Sequence, residues 1–151
     1  MTPLATHSER GIFARWLLWM LVLNLLWEVL QLPLYVVPPS PIPFYKAYAL
    51  VHCTVGDGLI AAGIYAGAAL VAGWRWPLDA PGRGLAVLLP LGIAYTAYSE
   101  WRNVYVTGSW AYDPLMPTLG GIGIAPLAQW LVLPPVAIWL LRVTIRINRM
   151  R

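Results

Sequence analysis

Four apolar stretches, each about as long as a membrane crossing, leave this chain few ways to fold. A hydrocarbon layer of about 30 Å needs about 20 helical residues per crossing, so the 151 residues allow four crossings and little else. With 60% of its residues apolar and 11% charged, the chain cannot present a polar surface on all sides. We predict an all-α integral membrane protein, a single membrane domain over residues 1–151, built as a four-helix bundle with helices at about 12–34, 45–72, 85–106 and 122–145.

Basic residues predict how this bundle lies in a membrane. Eight of the ten Lys and Arg residues fall in the two end segments and in the connection near residue 80, whereas Lys46 and Arg102 fall on the other side. Because cytoplasmic segments are enriched in Lys and Arg, we expect both termini to be cytoplasmic and the protein to lie in the inner (plasma) membrane. Topology then explains the formal net charge of +4, and we expect no nucleic-acid partner.

The first helix carries a polar face within its apolar sequence. Asn24, Glu28 and Gln31 are spaced i, i+4 and i+7, which places them on one side of an α-helix. The third helix repeats the spacing with a second set: Thr96, Glu100 and Asn103. Because the two helices run in the same direction, the match predicts a weak repeat of two helical hairpins, with the glutamates opposite each other.

Counting along the helices places several ionisable side chains at one level. At 1.5 Å per residue, Glu28 lies roughly 20 Å and Glu100 roughly 25 Å from the cytoplasmic ends of their helices. His52, on the second helix, lies roughly 9 Å inward from Lys46 and so close to the same level. Asp57 lies at least a turn deeper and about 140° around the helix from His52, so it is the less certain member. The convergence predicts a polar pocket that opens toward the outer face of the membrane.

The residue types in this pocket favour acid–base chemistry. Two carboxyl groups in a poorly solvated place cannot both ionise cheaply, so we expect one to keep its proton while the other acts as a base. Glu28 and Glu100 would carry protons, and His52 would shuttle them. The other predicted site residues orient or enclose a lipid-like or isoprenoid-like substrate: Asn24, Gln31 and Asn103 as hydrogen-bond donors, Asp57 as a binding group, and Trp27 and Trp101 as walls of an apolar slot.

The same carboxylates and histidine are also ligands for a divalent metal ion. Glu28, His52, Glu100 and Asp57 match an oxygen-rich site, although no compact metal-binding motif is present. Cys53 is the only cysteine, which excludes an internal disulfide and every multi-cysteine metal site. The sequence decides no other cofactor.

A non-enzymatic function is the alternative, because buried polar residues also stabilise helix packing. A hydrogen-bonded pair between two membrane helices contributes about 0.6 kcal/mol to stability. The chain would then be a non-enzymatic subunit, an assembly factor or a protein that binds lipids or ions, with membrane lipids or a larger membrane complex as its partner. The mix of glutamate, histidine, asparagine and tryptophan in a few short helices loosely resembles the sterol-isomerase type of membrane protein. The spacings differ from that pattern, so the resemblance assigns no residue a role.

Overall fold

The computed structural model describes residues 8–36 and 44–149. Helices of all types account for 81% of these residues, which confirms the all-α prediction. Five α-helices are described: α1 Glu9–Gln31, α2 Tyr45–Ala72, α3 Trp76–Asp79, α4 Pro81–Trp101 and α5 Ile124–Arg149. A 3-10 turn, Leu32–Leu34, extends α1, and a π-helical turn, Arg102–Val106, extends α4. The proline-rich connection before α2 falls largely on residues 37–43, outside the described part.

Three of the helical segments are long and apolar enough to cross a membrane. They are Glu9–Leu34, Tyr45–Ala72 and Ile124–Asn148. Only a minority of residues in the most apolar part of each segment is buried inside the protein, so large apolar side chains such as Leu30, Leu59 and Leu70 face outward. An outward-facing apolar surface of this kind requires lipid or another apolar partner. Length and composition therefore suggest a membrane protein.

The helix boundaries follow local sequence signals. Ser8 caps α1, because its hydroxyl accepts a hydrogen bond from the Gly11 N–H at 3.1 Å. Pro81 is the first residue of α4, a position at which a missing N–H costs nothing. Both helices therefore start a few residues earlier than the apolar pattern predicts, while α2 begins and ends where predicted.

The long helices form a ring in which each contacts two others. α1 packs against α2 and α5, and α4 packs against the same two helices. The first and third long helices, which carry Glu28 and Glu100, are therefore diagonal to each other. This arrangement is the one expected for two related hairpins, although the repeat itself stays a prediction.

An aromatic cluster fixes one end of the ring. Trp16, Tyr65 and Trp76 are fully buried, and the Trp76 ring centre lies 6.1 Å from that of Trp16 and 5.2 Å from that of Tyr65. Gly84 provides the space, because a Cβ there would lie 1.9 Å from Trp76 Cε3. Trp76 stands among charged and turn-forming residues in the sequence, yet its segment forms α3 and packs inside the bundle.

Short strands organise the opposite end, where α1 and α4 finish and α2 and α5 begin. We call it the acidic end. Strand β1, Tyr35–Val36, pairs antiparallel with β2, Ala111–Tyr112. Strand β3, Thr118–Leu119, pairs with β4, Ile122–Gly123, through the turn at Gly120 and Gly121, which both have positive φ. The two pairs hold the segment after α4 against the ends of α1 and α5.

Candidate functional site

The polar face of α1 forms its own chain of hydrogen bonds at the acidic end. The Trp27 indole N–H donates to Gln31 Oε1 at 3.2 Å, and Gln31 Nε2 donates to Glu28 Oε1 at 2.8 Å. The i, i+3 and i, i+4 spacings that predicted one face also allow these contacts. Trp27 and Gln31 therefore hold the Glu28 carboxyl group in a fixed orientation.

Asp57 on α2 completes this chain across three helices. Its carboxyl group lies within hydrogen-bonding reach of that of Glu28 and accepts a hydrogen bond from Gln129 Nε2 on α5 at 2.7 Å. Gln129 Nε2 also donates to Asn24 Oδ1 at 2.6 Å, and Asn24 Nδ2 donates to the Met20 carbonyl at 2.7 Å. Asn24 is fully buried and positions the Gln129 side chain, which in turn contacts Asp57.

A hydrogen bond between two carboxyl groups has a fixed chemical requirement. An ionised carboxylate has no proton to donate, so Glu28 and Asp57 can share a hydrogen bond only while one of them is protonated. Two like charges this close would repel in a poorly solvated place. A single proton between the two carboxyl groups would make one of them an acid and leave the other a base.

Glu100 on α4 has different partners. Its Oε2 accepts hydrogen bonds from the Tyr112 hydroxyl at 2.6 Å and the Tyr35 hydroxyl at 3.2 Å, and the Tyr112 oxygen accepts one from the Gly123 N–H at 3.0 Å. Burial, and after it the nearby Glu100 carboxyl, raises the pKa of Tyr35 and of Tyr112 above that of an ordinary phenol. Both hydroxyl groups therefore stay protonated and act as donors, and they tie the strand pair to α4.

A cavity of about 380 Å³ lies between these two groups. Its wall is mostly apolar, and its size falls in the usual range of pockets for small ligands. Three acidic residues line it together with large aromatic residues: Glu28, Asp57 and Glu100, with Tyr35, Tyr95, Trp110 and Trp130.

Trp110 places a hydrogen-bond donor at the cavity wall. Its indole nitrogen is buried and makes no hydrogen bond of standard geometry within the described residues, but the Glu100 carboxyl group lies within its reach. A buried indole N–H normally finds a partner. Glu100 and an acceptor atom of a molecule in the cavity can both fill that role.

The remaining predicted site residues lie further from this centre. His52 is exposed and stacks on Tyr48, with ring centres 5.7 Å apart, at the rim of the cavity. Asn103 lines the cavity, but its Nδ2 donates to the Ser99 carbonyl of its own helix at 2.8 Å. Trp101 is 50% exposed and, like Trp27, is not among the lining residues described. Asp57, which the helical wheel made the less certain member, is the one bonded to Glu28.

The hypothesis of a divalent metal ion gains no support from the geometry. Within residues 8–36 and 44–149, no group of three or more His, Cys, Asp or Glu side chains is placed to hold a metal ion. Glu28 and Asp57 contact each other, while the nearest partners of Glu100 are two tyrosines.

Sequence reasoning missed three residues that complete the site. Gln129 is a lone carboxamide in the apolar sequence of α5, and its isolation in that span was the signal available. Tyr35 and Tyr112 fall outside the apolar runs of the sequence, and both turn inward to Glu100. Their pairing joins segments 77 positions apart, as the strand register from Tyr35 to Tyr112 shows.

Fold and site together define an all-α protein with the features of a membrane protein and a half-buried carboxyl pair beside a cavity. Comparison of the chain with protein-family models, with curated proteins and with solved structures gave no match. The functional argument therefore depends on the geometry of this chain alone.

Proposed function

We propose that this protein catalyses proton transfer on a lipid-like molecule held in the cavity at the acidic end. The observation that carries the proposal is the close contact of the Glu28 and Asp57 carboxyl groups on the wall of a mostly apolar cavity. An acid next to a base in a poorly solvated place is the arrangement that general acid–base catalysis needs. Packing alone would be served by amides, without the cost of a carboxyl group inside a membrane protein.

The pair can act without a net change in its own protonation. The protonated carboxyl group gives its proton to one atom of the substrate while the ionised one removes a proton from another atom. The substrate is then isomerised, and the pair again holds one proton. Where water is the second reactant, the same two groups support hydrolysis instead.

Neighbouring residues hold the two carboxyl groups in place for this step. Gln31 donates to Glu28 and Gln129 donates to Asp57, at 2.8 and 2.7 Å. Glu100, with Tyr112, provides a second polar centre across the cavity, and the Trp110 N–H can bind an oxygen atom of the substrate. We assign His52 a position at the rim, where it meets the substrate during entry.

We further propose that all four long helices cross the membrane and that both termini are cytoplasmic. α4 contacts α2 and α5 in the same ring as the three more apolar helices, so a position outside the membrane would separate it from them. The distribution of basic residues supports this orientation, with the inner (plasma) membrane as the location. The acidic end then faces outward.

The proposal is tested by conservative substitutions in cells or membranes that contain the protein. Glu28→Gln and Asp57→Asn keep shape and hydrogen bonding but remove the acid or the base. We expect each to abolish the protein-dependent change in extracted lipids or pigments, measured by mass spectrometry. Glu9→Gln is the control, because Glu9 is an exposed glutamate in the first turn of the same helix.

Two results would overturn the enzymatic proposal. One is a lipid profile that is identical for wild type, Glu28→Gln and Asp57→Asn. The other is copurification of the chain in mild detergent with a foreign subunit at equal stoichiometry, undisturbed by either substitution. The second result would instead establish the competing function, a structural subunit of a larger membrane complex.

A further inference from the structure

We infer that the molecule bound in this cavity has a polar end that donates hydrogen bonds and carries no negative charge, namely a hydroxyl or ammonium group on an apolar body. Lipids with phosphate or carboxylate head groups are excluded. This inference rests on the proposed function, since it names the substrate class for the same cavity. Three observations carry it: the charges on the wall, its hydrogen-bonding capacity and the space at Gly56.

The charged groups on the cavity wall are acidic. Glu28, Asp57 and Glu100 line it, and none of the lining residues described is Lys or Arg. Residues 37–43, which the structure does not describe, contain no Lys or Arg either. His52 is the one basic side chain among the described lining residues, and it lies exposed at the rim. An anionic head group would therefore meet like charge in a poorly solvated space, without the Arg or Lys that such groups are usually bound by.

The carboxyl groups on the wall keep free acceptor sites. An ionised carboxylate accepts about four hydrogen bonds, whereas Asp57 has Gln129 and the adjacent Glu28 carboxyl group as partners. Glu100 receives two hydrogen bonds from tyrosine hydroxyls and has the Trp110 N–H within reach. A hydroxyl or ammonium group supplies the missing donors. A hydroxyl group can in addition accept from the buried Trp110 N–H, which makes no hydrogen bond of standard geometry within the described residues and lies within reach of Glu100.

The apolar body of the ligand has room beside Gly56. This glycine lines the cavity one residue before Asp57, and a Cβ built there meets nothing within 4 Å. A large side chain at this position would occupy cavity space without displacing a neighbour. Gly63 offers a matched control, because it lies on the same helix with equally open space but does not line the cavity.

The test uses three probes with the same twelve-carbon chain and different ends: dodecylamine, dodecanol and dodecanoate. Purified protein in a neutral maltoside detergent is titrated with each, and binding is followed by the shift in thermal unfolding measured from tryptophan emission. We expect the amine or the alcohol to bind at least tenfold more tightly than the carboxylate. Gly56→Trp should lower the affinity for the tighter-binding of these two probes at least tenfold, whereas Gly63→Trp should bind that probe as tightly as the wild type does. Gly56→Leu replaces Gly56→Trp if the larger variant does not fold.

Each outcome decides the inference. Equal or tighter binding of dodecanoate, failure of all three probes, or binding unchanged by filling the space at Gly56 would overturn it. Selective binding of the amine identifies a cationic head group, and selective binding of the alcohol identifies a neutral one. A different result would overturn the proposed chemistry alone. If binding is selective and depends on Gly56, but cells with Glu28→Gln have the same lipids as wild type, the ligand class is supported and the proposed catalysis is refuted.

Discussion

Gln129 donates from one nitrogen to the buried Asn24 Oδ1 and the half-buried Asp57 Oδ2, so its removal should reveal how much the polar network contributes to the packing of the helices. In Gln129→Leu, Asn24 Oδ1 and Asp57 Oδ2 lose donors at 2.6 and 2.7 Å. An unsatisfied buried acceptor costs about 1–3 kcal/mol, so we expect a loss of about 2–5 kcal/mol in the free energy of unfolding. Asn24→Leu should cost less, because the leucine also removes the acceptor that needs a donor.

The double variant, Asn24→Leu with Gln129→Leu, separates this contact from other effects. Once both partners are apolar, no donor or acceptor between them remains unsatisfied, so the double variant should be more stable than the sum of the single losses predicts. The interaction energy of a hydrogen-bonded side-chain pair between membrane helices averages about 0.6 kcal/mol and reaches about 1.7 kcal/mol. We expect the Asn24–Gln129 pair to lie toward the upper end of this range. Reversible unfolding in mixed micelles measures all four proteins. If the stability losses of the two single variants add up to that of the double variant, the Asn24–Gln129 contact does not stabilise the packing of α1 against α5.

Two further predictions concern packing and the strand pair. Gly84→Ala should destabilise the protein by about 1–3 kcal/mol, since the new methyl group would collide with the fully buried Trp76 ring. The control, Gly82→Ala on the same helix, adds a methyl group with nothing within 4 Å and should be neutral or stabilising by up to about 1 kcal/mol. Thermal unfolding measures both variants, and equal effects on stability would contradict the prediction. Tyr112→Phe removes the 2.6 Å hydrogen bond to the Glu100 carboxyl group and should lower the free energy of unfolding by about 1.5–3 kcal/mol. It should also speed hydrogen exchange at the Gly123 amide. The control, Tyr105→Phe, loses an exposed hydrogen bond to a carbonyl and should leave that exchange unchanged.

The sequence predicted the helices because they depend on local signals. Runs of apolar residues mark the long helices, and Ser8 and Pro81 mark helix starts that the apolar pattern alone placed a few residues late. The level of Glu28 and Glu100 could be counted, since a helix rises about 1.5 Å per residue. These two carboxyl groups indeed line one cavity.

The partners of those carboxyl groups could not be predicted in the same way. Whether Asp57 or His52 faces Glu28 depends on the rotation of α2 against α1, which the packing of both helices sets rather than any local spacing. Gln129 has no polar neighbour one helical turn away to mark a face. Trp76 lies between charged and turn-forming residues, and only the space left by Gly84 explains why it is buried.

The shared proton of Glu28 and Asp57 is the claim on which the site depends most, and infrared spectroscopy tests it directly. The wild-type protein at neutral pH should show the C=O stretch of a protonated, hydrogen-bonded carboxyl group, with a shift in heavy water. Glu28→Gln and Asp57→Asn should each remove or displace that band, while Glu100→Gln should leave it in place. A wild-type spectrum without the band, or a band that only one of the two substitutions changes, would contradict a proton held between these two residues.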